Sequence, residues 1–265
     1  MELSQRSFDL IARTFQQVSG IRLVPAKRQL VIGRLQKLAA ERGLDDLDDY
    51  VDQVIRQGDE KELVRVVDRL TTNETYFFRE PAHFDFLQEV LAKRRPGSEP
   101  FRVWSAASSS GEEAYSIAML LADKLGPRGW EVIGTDLSTA MVEAARRGLY
   151  PMSRARDVSP ALLKRFCMRG SGPYEGQLLI HKSLRANVHF GPANLTQNLP
   201  DIGLFDIVFL RNVLIYFEPE AKLDIVRRVI PVIKPGGHLF TGHSESISNL
   251  PTGLVNVKPA IYARA

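Results

Sequence analysis

A chain of 265 residues with 44% hydrophobic and 25% charged side chains has apolar surface enough for one large domain, or a main domain with a small companion, and is not a disordered protein. Its 35 Lys and Arg against 31 Asp and Glu leave a net charge of +4, a basicity that only hints at an acidic partner and does not single out nucleic acid. No run reaches the roughly 18 apolar residues of a membrane helix, and the start MELSQRSFDLIARTF is amphipathic without a signal-peptide apolar region, so membrane insertion is not expected and the cytoplasm is. The single cysteine, Cys167, rules out an internal disulfide and a thiolate zinc cluster. No metal is expected, and in LLKRFCM that cysteine reads as a small apolar filler.

Over residues 4–70 apolar side chains recur at helical spacing: Phe8, Ile11, Ala12, Phe15 and Val18; Val31, Leu35 and Leu38; Leu47, Tyr50, Val51 and Val54; Leu63, Val66, Val67 and Leu70. Gly20, Gly43 and Gly58 fall where C-caps belong, and Pro25 and Asp45 near helix starts, so a four-helix domain is expected over 1–75. A linker helix follows over 76–99, with the only linker-like composition, KRRPGSEP, at 93–100. From residue 100 short apolar runs alternate with helical patterns: FRVWSA, EVIGTDLS, NVHF, FDIVFL and HLFTG. That rhythm predicts an α/β fold, a parallel Rossmann-like sheet with crossover helices over 100–265. LVNVK and AIYARA lie so close together that only a hairpin can join them, which puts an antiparallel edge on the sheet. Gly170, Gly172, Pro173 and Gly176 interrupt the alternation, and QLLIHK then predicts a strand of a small antiparallel insertion at about 168–186.

The stretch 104-WSAASSSGEEAYSIAML-120 sets a small-residue turn between the first strand and its helix, where open α/β sheets hold ligands. A phosphate site needs a glycine-rich backbone there, but Gly111 is followed by Glu112 and Glu113, which repel a pyrophosphate and attract a cation. S-adenosylmethionine, with its sulfonium and ammonium groups, is a nucleoside ligand of that kind; complementing the helix dipole is the alternative that the glutamates alone do not exclude. Asp136, ending the second strand in 132-VIGTDLS-138, stands where a carboxylate accepts from both ribose hydroxyls. Ser138 is the better N-cap for STAMVEAARR, which leaves Asp136 free. The turn with its glutamates and Asp136 at the strand end together point to the methyltransferase variant of the Rossmann sheet.

The remaining segments extend this reading. Together, 71-TTNETYFFRE-80, SAASSSGEEAYSIAM, GTDLS, ANL at 193–195, 205-FDIVFLRNVLIYF-217 and 236-GGHLFTGHSES-246 resemble the CheR family over nearly the whole chain. The resemblance implies an S-adenosylmethionine-dependent methyltransferase that esterifies glutamate side chains of bacterial chemoreceptors. One departure is visible: the family's turn usually reads S-T-G-E-E-P, and this one S-S-G-E-E-A, keeping the glutamates and losing a helix-start proline. Carried over residue by residue, the resemblance places cofactor contacts on Asn73, Thr75, Arg79, Glu113, Asp136, Asn194, Leu195, Arg211 and Asn212, and the catalytic pocket at Arg79 and Tyr216.

The residues themselves agree in part. If 73–79 is extended, its period of two puts Asn73, Thr75 and Arg79 on one side and Tyr76 and Phe78 on the other. Asn194 follows the third strand run, where its amide can reach an adenine edge, while turn or cap chemistry is the alternative for Asn194 and Asn212. Phe77, Phe78 and Phe217 are expected in the core. A carboxylate acceptor, with an ordinary pKa of about 4.3, is already ionised at neutral pH and needs no general base. Arg79 can orient it through its planar donor fork, with Tyr216 lining the same pocket.

A nucleic-acid methyltransferase is the second reading. Against it, the charges are dispersed and LRNVLIY stands where enzymes acting on exocyclic base nitrogens often carry D/N-P-P-Y/F/W. A non-catalytic S-adenosylmethionine sensor is the third. GHSES lacks the second glycine of a hydrolase nucleophile elbow, and His243 within it is expected to close a strand end. The resemblance also names partners. As a helix, 25–42 aligns Lys27, Arg34 and Lys37 beside Val31, Ile32, Leu35 and Leu38, a basic side for a glutamate-rich receptor helix. The run R-G-S-G-P-Y-E-G resembles the loop of family members that bind a receptor's C-terminal peptide, here through a 169–186 hairpin with Arg169 or Arg185 for an acidic group. A monomer is expected.

Overall fold

The computed structural model describes residues 1–94 and 99–265; residues 95–98 of the KRRPGSEP stretch lie outside the described residues. Helix α1 (Gln5–Ser19) starts at Ser4, whose hydroxyl accepts from the Ser7 N–H at 3.2 Å, and ends on Gly20 in the left-handed region. Helices α2 (Arg28–Glu41), α3 (Leu47–Val51) and α4 (Glu60–Leu70) complete the N-terminal layer. Asp46, not Asp45, caps α3, because its extended backbone lets the carboxylate reach the N–H groups of Asp48 and Asp49. Phe8, Ile11, Phe15, Val31, Leu35, Leu38, Tyr50, Val54, Val66 and Leu70 interlock as one core, as their spacing requires.

Helix α5 (Pro81–Ala92) joins this layer to the sheet. The segment before it is not a strand. Phe78 and Glu80 adopt positive φ of 57° and 59°, which breaks the alternation expected over 73–79. A residue preceding proline avoids the α region, and the chain has to turn to enter α5 at Pro81. As a result Phe77 is the fully buried ring, edge-on to Tyr150 at 5.1 Å, while Phe78 is half-buried and Tyr76 is exposed.

The sheet strands are β1 (Phe101–Ala106), β2 (Trp130–Asp136), β6 (Val188–Pro192), β7 (Phe205–Leu210), β8 (Ile233–Thr241), β9 (Val255–Lys258) and β10 (Ile261–Ala263). Their order is β6-β2-β1-β7-β8-β10-β9. The first five run parallel, and β10 and β9 are the expected antiparallel edge. Helices α6 (Glu112–Leu125), α7 (Thr139–Arg147) and α10 (Pro219–Val229) cover its faces, which is why β1 and β7 read as nearly unbroken apolar runs. The order reverses between β1 and β7, placing the switch point at their carboxyl ends.

A second, three-stranded antiparallel sheet of order β3-β5-β4 lies beside the first: β3 (Leu149–Pro151), β4 (Cys167–Arg169) and β5 (Gln177–Ile180), with the short helices α8 (Pro160–Phe166) and α9 (Lys182–Arg185). QLLIHK supplies β5, and the sheet also takes in β3, which precedes the glycine run. Cys167 on β4 is partly buried, and burial pushes its thiol up to about 11, away from the nucleophilic thiolate form. No helix among the described residues is long and apolar enough to cross a membrane.

Candidate active site

The turn from β1 to α6 is wound tightly by positive φ at Ala107, Ser109 and Gly111. That conformation turns the Ser109 N–H toward the end of β2, where Asp136 Oδ2 accepts it at 2.8 Å while Oδ1 accepts the Ser138 N–H at 2.9 Å. Ser138 caps α7 with its own hydroxyl, so Asp136 is not the cap. Burial pushes the Asp136 carboxyl up, and the Ser138 and Ser109 amides act against it. The buried Ser108 hydroxyl in the same turn has no partner among the described residues.

The two glutamates of α6 part company. Glu112 is fully buried and turns away, accepting from the Ser110 hydroxyl at 2.7 Å and pairing with Arg154. Glu113 faces the switch point, accepting from the Ser105 hydroxyl at 2.7 Å and from Arg211 Nη1 at 2.8 Å. Burial pushes its carboxyl up, opposed by Arg211 and Ser105. Arg211, at the end of β7, has a side chain only 1% exposed and sits between two carboxylates, its Nη2 lying 3.2 Å from Glu80 Oε2 and donating to the Arg79 carbonyl. Asn212, at φ 56°, donates through Nδ2 to Glu80 Oε1 at 3.0 Å. Burial acts to raise the Glu80 carboxyl, but Asn212 and Arg211 outweigh it and hold it low.

All nine residues that the resemblance marks for the cofactor, together with Tyr216, line one cleft of roughly 1290 Å³, its open mouth included, above the carboxyl ends of β1, β2 and β7. Arg79 Nη1 donates to the Glu74 carbonyl at 2.8 Å, which aims the half-buried guanidinium along the wall; Tyr216 sits half-buried in a single 3-10 turn. Thr75 and Leu195 line the cleft beside Asn73, whose carbonyl accepts from the Ser109 hydroxyl. Asn194 is spent otherwise than on an adenine edge. Its Nδ2 donates to the Val18 carbonyl at 2.7 Å and its Oδ1 accepts twice from Thr196, because the end of α1 comes down on this turn and offers an unpaired carbonyl.

The opposite wall is the N-terminal layer, through Arg22, Lys27, Leu30, Arg34, Leu70 and Thr71. Arg34, expected on an open basic side, donates to the carbonyls of Leu70 and Thr71 at 2.7 and 3.1 Å. It saturates the unpaired carbonyls where α4 ends, while Lys27 and Lys37 are exposed. Two further glutamates went unassigned in the sequence, Glu80 and Glu245. Each is a single loop carboxylate without periodicity, and only the motifs TTNETYFFRE and GHSES drew attention to their neighbourhood.

Glu80, His83 and His243 bring one oxygen and two ring nitrogens within 4.8 Å of one another. Glu80 Oε2 already sits against Arg211, so a dication there would meet a guanidinium, which makes the trio a poor cation site. S-adenosylmethionine, in contrast, suits the cleft. Asp136 and Glu113 offer carboxylates to hydroxyls and to a cation, and the orphaned Ser108 hydroxyl is a polar group that a ligand can satisfy.

Comparison with known proteins decides the family. Residues 73–262 match "CheR methyltransferase, SAM binding domain", and residues 6–71 match "CheR methyltransferase, all-alpha domain". The chain belongs to the CheR methyltransferase family. Among its relatives, the chemotaxis protein methyltransferase of Salmonella typhimurium is 44% identical, over 94% of this chain and 87% of its own length. That of Escherichia coli is 40% identical over 99% and 92%, and chemotaxis protein methyltransferase 1 of Pseudomonas aeruginosa is 38% identical over the whole of both chains. This CheR family member is therefore a methyltransferase whose cofactor is S-adenosylmethionine, on a Rossmann-like sheet carrying an all-α N-terminal layer and a small antiparallel sheet.

Proposed function

We propose that this enzyme methylates glutamate side chains of bacterial chemoreceptors, forming glutamyl methyl esters. The observation that carries the reading is the polarity of the cleft. Glu113 and Asp136 stand at the sheet end, where Arg211 is shared between Glu113 and Glu80 and leaves net negative charge. Arg22, Lys27 and Arg34 of the helical layer and Arg79 of the segment before α5 also line the cleft, so a cationic cofactor and an anionic acceptor can each be met by opposite charge. The described residues that line the cleft include no histidine to take a proton from an amine or hydroxyl. An acceptor that arrives ionised fits that lining. The chemotaxis protein methyltransferases that resemble the chain over nearly its full length support the same substrate class.

When bound, S-adenosylmethionine supplies a methyl group made electrophilic by its sulfonium. The protein's share is to bind and orient. Asp136, pinned by two backbone amides, presents a carboxylate to hydroxyls; Glu113, half neutralised by Arg211, faces positive charge; Asn73, Thr75, Asn194, Leu195 and Asn212 complete the cofactor wall. Arg79 orients the acceptor carboxylate and Tyr216 closes the same pocket. Arg79 must not hold the anion too tightly, since ground-state binding alone does not accelerate transfer.

The substrate approaches the helical layer, 1–75 in this division, with 76–99 connecting it to the methyltransferase domain at 100–265. Lys27 and Lys37 meet the glutamate-rich receptor helix, and Arg34 holds the adjoining wall. The 169–186 hairpin adds a receptor's C-terminal peptide as a strand on β4, with the exposed Arg169 beside it. The test is incubation with a receptor signalling domain and methyl-labelled S-adenosylmethionine, followed by mild base. Release of labelled methanol is expected; label that stays on the protein as an N-methyl group overturns the reading.

A further inference from the structure

The GHSES motif closes β8, and its glutamate has no part in the site so far. Glu245 is only 5% exposed and makes no ion pair among the described residues. Its Oε2 accepts from the Gly242 N–H at 2.7 Å and the Asn212 N–H at 2.6 Å, and its Oε1 accepts from the Ile215 N–H at 3.0 Å. A carboxylate is costly to bury, and three backbone donors are the compensation it finds here. Two of them lie in the loop that leaves β7 and carries Arg211, Asn212 and Tyr216 into the cleft. Asn212 is held at φ 56°, a conformation an asparagine adopts at some cost unless its surroundings impose it. Glu245 grips its N–H while Glu80 grips its side chain. Gly242 is part of the same device, since a Cβ there would lie 2.6 Å from Glu245 Oε2 and 2.7 Å from Asn212 Nδ2.

We propose that Glu245 is a positioning residue for methyl transfer: its carboxylate ties the turn after β8 to the loop after β7 and so sets Arg211, Asn212 and Tyr216 in register with the cleft. The inference rests on the reading of Tyr216 as a pocket residue. Glu245→Gln keeps the shape but turns an amide N–H toward a backbone donor, so one tie is lost and replaced by repulsion. A drop of at least tenfold in kcat at saturating S-adenosylmethionine is expected, with the receptor KM within twofold and the unfolding midpoint showing a folded enzyme.

A role through the loop also shows in a double-mutant cycle. In a Tyr216→Phe background the further loss from Glu245→Gln should shrink to less than threefold. An equal loss in both backgrounds, or a kcat within twofold of wild type for Glu245→Gln alone, overturns the proposal. If Tyr216→Phe alone is fully active, the pocket reading of Tyr216 has failed, and the cycle is run on S-adenosylhomocysteine affinity against Asn212→Ala with the same two outcomes. Should Glu245→Gln not fold, Gly242→Ala crowds the same carboxylate from the opposite side and is expected to reproduce the kcat loss; normal turnover in it overturns the proposal.

Discussion

Arg211 is one cation shared by two carboxylates, so the Glu80–Arg211–Glu113 group carries a net negative charge that a sulfonium can offset. Glu113→Gln should therefore weaken S-adenosylmethionine more than the uncharged-sulfur product S-adenosylhomocysteine. The difference should be roughly tenfold, about 1.4 kcal/mol. Asp136→Asn should weaken both alike, since ribose hydroxyls are common to the two. Calorimetric titration of both ligands separates the roles; an equal loss in Glu113→Gln would mean that Glu113 only orients Arg211. Arg79 differs in kind, because among the described residues its side chain donates to one carbonyl, lies over the Tyr76 ring and leaves donors for an acceptor. Arg79→Ala should lower kcat at saturating cofactor by about 100-fold or more, on the scale of one preorganised charged donor. Arg79→Lys should recover only part of it, as an ammonium lacks the planar fork. Near-normal turnover in Arg79→Ala would make the residue structural.

The hairpin between β4 and β5 is built to present backbone. Its loop passes through a 3-10 turn at Gly172–Tyr174, is closed by the Gly170 N–H to the Gln177 carbonyl at 2.9 Å, and leaves β4 as an open edge. Deleting Gly170 to Gly172 should abolish micromolar binding of a cognate receptor's C-terminal peptide, measured by fluorescence anisotropy, and leave S-adenosylhomocysteine affinity unchanged. A short tether raises local concentration into about the mM range, so receptors with that tail should lose rate in the variant. Binding that survives the deletion leaves the hairpin as protection for a sheet edge. On α2 and the turn before it, the exposed Lys27 and Lys37 carry the receptor proposal, because Arg34 is committed to α4. Lys27→Glu with Lys37→Glu should raise the receptor KM several-fold at low salt and leave kcat alone, with the effect fading as salt screens it. An unchanged KM at low salt would count against this face.

The two layers are joined at the rim of the cleft. Gly20, at φ 74°, lets the end of α1 settle onto Thr196, where a Cβ would come within 2.5 Å of Cγ2, and Asn194 bonds Val18 across the same seam. Beneath the cleft His83 is wholly buried against Phe240, and burial, with Arg211 nearby, pushes its pKa down to about 3. The unfolded chain therefore binds a proton that the folded protein refuses between about pH 6.5 and pH 3, so this group's contribution is present above pH 6.5 and is lost as pH falls through that window. At a full slope of about 1.4 kcal/mol per pH unit, wild type should lose roughly 1–2 kcal/mol more than His83→Phe between pH 6.5 and pH 5. Parallel unfolding curves for the two proteins would refute the buried neutral histidine. Apolar periodicity and turn residues were enough to read the helical layer, the parallel sheet, its antiparallel edge and the strand in QLLIHK, since those patterns follow from local geometry. The turn and the end of the second strand pointed to Glu113 and Asp136, and the resemblance to the CheR family marked Arg211 and the other residues that line the same cleft. Tertiary contact alone decided how each polar group is used. Glu112 and Glu113 are adjacent and chemically identical, yet one meets Arg154 and the other Arg211; Asn194 and Arg34 were drawn to the unpaired carbonyls of α1 and α4; and Glu245 gained its role from amides 30 and 33 residues away along the chain. A buried polar side chain takes whichever partner the packing brings within about 3 Å, and such partners, distant in sequence, leave no local pattern to read.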